Sequence, residues 1–347
     1  MRITFGLLLP LCFAITINAQ EIVLSPAAEI PCKPGVINKS PSQGILVDYF
    51  VRPQSTLSSN SEQVGSNNGR VKVNDRFRFK LKAPIIHGDG FNFLVGLSHM
   101  REGYEFSSSS LGAASFLDYL NEKTLKTTRL SAYFLKPINS KFYASLKLEG
   151  SFNGDYDGFV DFSERYAVYR AGLMLGMKKD PYTEWGFGLM VSKGFRRSLV
   201  LPFLMYNRTF NQRWGLETVL PVKIQVRHNI SPDKILLLGT QFNSRNYSID
   251  LPQNNATGPS TNSIFHMRSA ELQIGATYQQ RLSKWAWASL QAGYAQNFTS
   301  RFDRVTPERE LDYITARLSG GPFMKFGLFL SPPKTYYCKG KKKNLFD

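Results

Sequence analysis

A two-residue hydrophobic alternation recurs along most of this chain and constrains its fold more than any other feature. In residues 267–282, Ala270, Leu272, Ile274, Ala276 and Tyr278 take even positions, and Ser269, Glu271, Gln273, Gly275, Thr277 and Gln279 take odd ones. Successive side chains of a strand point to opposite faces, so this segment has one apolar face and one that hydrogen-bonds. Most copies run to about 9–11 residues or more, the length a tilted strand needs to cross a bilayer. Strands with apolar faces outward and polar faces inward, repeated along one chain, predict a transmembrane β-barrel of an outer membrane. The fold class is therefore all-β. It is a single antiparallel up-and-down barrel over 44–330 with about fourteen strands, twelve being the alternative.

The N-terminus agrees with export. Arg2 precedes an apolar run at 5–17, broken by Gly6, Pro10 and Thr16, and Ala19 supplies the small residue before a cleavage point. This reads as a signal peptide over 1–19, since the run is shorter than the roughly 20 residues of a spanning helix. Leu11 before Cys12 argues against lipidation there. Residues 20–43 lack alternation and read as an irregular periplasmic lead-in, and 331–347 as a basic periplasmic tail with Lys339, Lys341, Lys342 and Lys343. A mean hydropathy of −0.24 is compatible with a barrel, because only alternate residues meet lipid.

Connections are expected to alternate between long polar loops outside and short turns inside. The long ones are 53–69, 107–126 with a short helix near 113–122, 153–164 and 248–263; short turns fall at 87–90, 137–140, 179–183 and 231–233. The misfit is Leu220-Pro221-Val222, a short connection where a long one is due.

The central block carries Tyr206-Asn207, Trp214, Glu217, Leu220-Pro221, Arg227 and Ser231-Pro232-Asp233. With the exported N-terminus, this block resembles a family of functionally uncharacterised outer-membrane barrel proteins of Gram-negative bacteria. The resemblance implies the fold and an outer-membrane location and is silent on activity.

A net charge of +17 raises the question of nucleic acid, but an exported chain would not meet it. Outer-membrane lipid, small anionic solutes and surface glycans are the expected counterparts. If the apolar faces meet lipid, Lys72, Arg76, Arg78, Lys80 and Lys82 of one strand point into the lumen. The same phase sends Arg129, Lys147, Arg170, Lys223, Arg227, Arg317 and Lys325 inward, against the acids Asp48, Glu149, Glu217 and Glu271. Unpaired charge in a low dielectric is costly, so such a surplus implies water, bound anions or a ligand. A porin-like or ligand-gated channel favouring anions is one reading, since basic rings select anions. A plugged structural or adhesive barrel, acting through its external loops, is the other.

Chemistry beyond passage finds little support. Barrel lipases and deacylases pair a His with a Ser two residues later, and His87, His99, His228 and His266 have Asp89, Arg101, Ile230 and Arg268 there. No cofactor motif or metal-ligand cluster is expected, and the acidic loop at 153–164 does not match an EF-hand. The chain is read as a non-enzyme. Closing a barrel sets its first and last strands side by side, so Cys32 and Cys338 flank one periplasmic rim in an oxidising compartment. The two thiols are expected to pair, the alternative being tails that hold them more than about 7 Å apart.

Overall fold

The computed structural model describes residues 34–61, 65–88, 90–107, 116–195, 197–253, 261–298, 300–304 and 313–332. Alternating residues pair into β1 (Ile45–Ser61), β2 (Gly65–His87), β3 (Asn92–Phe106), β4 (Leu125–Pro137), β5 (Phe142–Gly154), β6 (Ala167–Asp180) and β7 (Thr183–Gly194). They continue as β8 (Arg197–Thr209), β9 (Trp214–Leu220), β10 (Lys223–Ser231), β11 (Lys234–Gln253) and β12 (Thr261–Arg281). The last two staves are each in two pieces: β13a (Ala286–Asn297) with β13b (Ser300–Arg304), and β14a (Tyr313–Leu318) with β14b (Gly321–Leu330). Both pieces of stave 13 lie along β12, and both pieces of stave 14 lie along β1. Each stave is antiparallel to the next, and β14b against β1 closes a barrel of fourteen staves. No helix among the described residues is long and apolar enough to cross a membrane; the wall does so with strands.

Several connections differ from expectation. Most of 53–69 and 248–263 is strand, paired residue by residue up to Ser61 opposite Gly65 and Gln253 opposite Thr261. Their polarity marks strands that continue past the apolar belt into water, not loops. In the described part of 107–126 the short helix stands as expected, α1 (Phe116–Glu122). The Leu220-Pro221-Val222 connection is a tight turn with a cis Leu220–Pro221 peptide, and the count stays at fourteen.

That turn shapes the wall. With β9 and β10 so short, the β8–β9 ladder reaches only Leu204, and the β10–β11 ladder only Gln241. Above them the edge of β11 instead meets β5, Ser248 lying parallel to Gly154. The external end thus closes on a smaller circuit, β1–β5 with β11–β14. Asp155 and Asp250 lock it: Lys123 reaches Asp155 at 2.8 Å, the Asp250 amide donates to Asp155 Oδ2 at 3.0 Å, and Arg165 reaches Asp250 at 2.5 Å.

The small circuit is filled with side chains. Leu57, Val71, Phe106, Leu120 of α1, Leu125, Ile249, Phe265, Met267, Phe302 and Leu318 form one buried cluster inside it. Lower down, Phe50 stacks on Phe323 at 5.3 Å, and Leu46, Ile235, Leu237, Trp287 and Phe329 pack together at the periplasmic end. The outer surface is the reverse of a soluble one. Leu173, Leu175, Phe187 and Leu328 are each more than half exposed, and Trp185, Trp214 and Trp285 stand exposed near the periplasmic turns. Apolar area on this scale needs lipid, and interfacial aromatics mark its edge.

Candidate functional site

The sealed and open parts of the lumen are separated by charge. Under the external cluster, Glu102 and Glu271, both fully buried, meet Arg52, Arg76 and Arg245. Arg76 grips Glu271 with NH1 at 3.2 Å and NH2 at 3.0 Å, and Arg245 spans both acids, Nε to Glu102 at 3.2 Å and NH2 to Glu271 at 3.3 Å. The hydroxyls of Tyr247 and Tyr104 donate to Glu102 at 2.9 and 3.0 Å, and Gln273 Nε2 donates to Glu271 at 2.6 Å. Buried charges persist only when paired and hydrogen-bonded. This belt is a lock across the filled half.

The other half, walled by β1–β8 with β14b, is open to water. Glu149 is shared by Arg129 at 3.0 Å, Lys147 at 2.5 Å and Arg170 at 2.8 Å, whose side chains keep 39%, 42% and 22% of their exposure although they point inward. Arg78 is paired with Asp48. Lys82 lies over the Tyr133 ring at 3.9 Å, while Lys80 and Lys325 make no ion pair among the described residues. Seven cations therefore face two acids in this wall. Small residues Gly96, Ser98, Ser131 and Gly172 alternate with them and keep the surface concave.

At the periplasmic mouth the chain's own lead-in lines the wall. The Gly35 amide donates to Glu184 at 2.7 Å, and Ser40 donates through its amide at 2.8 Å and its hydroxyl at 2.6 Å to Glu217. Thr209 donates to the Ile37 carbonyl at 2.6 Å, and Val36 is buried. Arg227, fully buried, also holds Glu217, at 3.2 Å, with Lys223 on the same inner face.

Two residues expected inside lie outside. A bulge between Val71 and Val73 turns Val71 into the core and Lys72 outward, where it meets Glu105 with both side chains more than half exposed. Ser319 and Gly320 interrupt stave 14, so that Ala316 and Leu318 are buried and Arg317 is exposed, the opposite phase from Phe323 and Lys325 below. The remaining expected cations and acids are on the inner wall. Arg52, Glu102, Glu184 and Arg245 complete the network and were not expected. Glu184 stands on the inward phase set by Trp185 and Phe187, which is a readable signal. Cys32 and Cys338 lie outside the described residues.

Comparisons with known proteins give distant likenesses. A FadL homologue of Pseudomonas aeruginosa is 10% identical with a TM-score of 0.40, over 83% of this chain and 90% of that one. The toluene transporter TodX of P. putida is 10% identical with a TM-score of 0.34, over 84% and 90%. LpxR from Salmonella typhimurium is 8% identical with a TM-score of 0.33, over 83% and 99%. Values of this size transfer no activity. Among curated proteins none matches. The model of the family described as "Domain of unknown function (DUF6268)" matches residues 44–308, most of the chain and nearly the whole barrel, and the chain belongs to that family.

Proposed function

We propose that this protein is an outer-membrane barrel, closed at rest, that admits small anionic solutes to its lumen and passes them when the external end opens. The observation that carries this reading is the open half of the lumen, where, among the described residues, Arg78, Lys80, Lys82, Arg129, Lys147, Arg170 and Lys325 stand with the two acids Asp48 and Glu149. A wall with this surplus attracts anions and repels cations by the same field. The packed external cluster and the Arg–Glu belt support a gated barrel over a standing pore. The outward apolar surface with its exposed tryptophans supports the membrane location.

Planar-bilayer recording in a salt gradient tests it. Conductance is expected to be rare or absent at rest and to rise when the Asp155–Asp250 lock is broken by Lys123→Ala with Arg165→Ala. The reversal potential of the opened barrel should then lie on the anion side. Cation preference overturns the proposal.

A further inference from the structure

On the inner wall of β6–β8 the basic lining stops and an apolar one begins. Met174, Met190, Leu201, Phe203 and Met205 all hold the inward phase, are only partly buried, and belong to none of the buried apolar clusters among the described residues. Glycines make the surface smooth. A Cβ at Gly188 would strike the Phe203 ring, and one at Gly186 would strike Met174 and Met205, so these side chains lie flat along the wall.

The two linings meet in register. Lys147, Gly172, Met190 and Leu201 form one cross-strand row, and Glu149, Arg170, Ser192 and Leu199 the next. Between cation and apolar surface stands Gly172, where a Cβ would have nothing nearer than the Leu189 carbonyl at 4.0 Å. The row therefore reads as positive group, gap, apolar patch. Glu149 already serves three cations, which leaves positive charge unspent beside the gap.

The geometry points to a binding site for a free amphiphilic anion, with a carboxylate, sulfonate or phosphate head on Lys147 and Arg170 and an alkyl chain laid over Gly172 onto Met190, Leu201 and Phe203. This rests on the proposed anion-admitting lumen and names the class of solute it takes. A small inorganic anion would leave the apolar wall unused, and a plain hydrocarbon would leave the cations unused. Methionines suit a chain of variable shape, because their flexible, polarizable side chains repack around it. The Gly154–Ser248 junction lies above this wall and residues 34–43 lie below it, and Leu201 and Phe203 stand on the stretch of β8 beyond the end of its ladder with β9 at Leu204.

The test is fluorescence titration of the full barrel in phosphatidylcholine nanodiscs with dansyl-labelled undecanoate, corrected against empty nanodiscs. Its methyl ester, which lacks the charge, and dansylglycine, which lacks the chain, are the comparison ligands. The undecanoate is expected to bind at least tenfold tighter than either. Lys147→Gln with Arg170→Gln, and separately Gly172→Leu, are each expected to weaken it at least tenfold, in variants that keep the heat-shifted gel mobility of the folded barrel. Equal binding of all three ligands, or unchanged affinity in folded Gly172→Leu, overturns the site. Displacement of the probe by phosphatidylglycerol in the nanodisc would assign the site to a membrane lipid and overturn the free amphiphile. Reversal potentials of the barrel opened by Lys123→Ala with Arg165→Ala, its amphiphile site unaltered, separate the two ideas. Anion preference without undecanoate binding sinks the amphiphile site alone, whereas absence of anion preference sinks the reading beneath it.

Discussion

The Arg–Glu belt should be worth more to this barrel than any other set of polar contacts, and Glu271→Gln isolates its value. The substitution keeps shape and removes one charge. In the native belt, two carboxylates face three guanidinium groups, and Glu271 is the partner of all three: Arg52 at 3.5 Å, Arg76 at 3.0 Å and Arg245 at 3.3 Å. After the change, Glu102 alone balances three buried cations. Breaking a buried pair by removing one partner typically costs about 3–5 kcal/mol, because the charge left behind is neither solvated nor matched. The Lys72–Glu105 pair is the internal control, since it lies outside with both side chains more than half exposed, and Lys72→Ala should cost below about 1 kcal/mol. Urea unfolding in detergent micelles, followed by gel mobility of the folded barrel, measures both. Adding Arg245→Met to Glu271→Gln should recover part of the loss, because Glu102 then faces two buried cations and not three. A Glu271→Gln cost no larger than that of Lys72→Ala would refute the view that the belt is a dry, ion-paired network.

Leu173, at mid-height of β6 and 55% exposed, faces outward, and Leu173→Arg should destabilise the folded barrel in bilayers by about 2–4 kcal/mol; an unchanged urea midpoint would place that face in water. Gly293 opposes Gly275 on the β12–β13 ladder, and a Cβ there would fall on the Ile274 carbonyl, so Gly293→Val should cut the folded fraction seen by heat-shifted mobility, with overpacking worth about 1–3 kcal/mol. Glu184→Gln with Glu217→Gln weakens the acceptors that hold Gly35 and Ser40, and residues 34–43 should become cleavable by added protease while the barrel stays folded; equal protection in wild type and variant would show that these acceptors do not hold the segment.

The staves and their phases were legible wherever alternation ran unbroken. On β5 and β6 the outward set Leu148, Tyr169, Leu173 and Leu175 places Lys147, Glu149 and Arg170 inside, which is where the cluster stands. Legibility failed at single-residue irregularities. A side-chain period of two means that one extra residue reverses every position beyond it. The bulge at Lys72 and the break at Ser319–Gly320 each did so, and took Lys72 and Arg317 with them. It failed again where strands leave the membrane. Arg52 and Arg245 sit at the borders of polar stretches that look like loops, yet those stretches are paired strand. The lead-in at 34–43 has no periodicity at all, because its hydrogen bonds go to scattered groups of the wall, the side chains of Glu184, Thr209 and Glu217 and the Pro181 carbonyl, and not to a ladder.

The division of the lumen into a sealed half and an open one follows from strand length. Barrel diameter grows with the number of strands around it. At the external end β9 and β10 stop short, and β11 turns to β5, so that β6–β10 are left out of the circuit. The smaller circuit leaves its interior no wider than the side chains it holds, so that interior must be dry, and a dry interior admits apolar residues or charges held in ion pairs. Both are found there, the Leu57–Phe302 cluster and the Arg–Glu belt. Below the junction β6–β8 widen the wall, with β9 and β10 joining it from Leu204 and Gln241 down, and Arg129, Lys147 and Arg170 can keep their charge in water with one carboxylate among them. Cations can be in surplus only where the barrel is wide. Recognition of a solute therefore belongs to the lower half, while the narrow half decides whether the path is open.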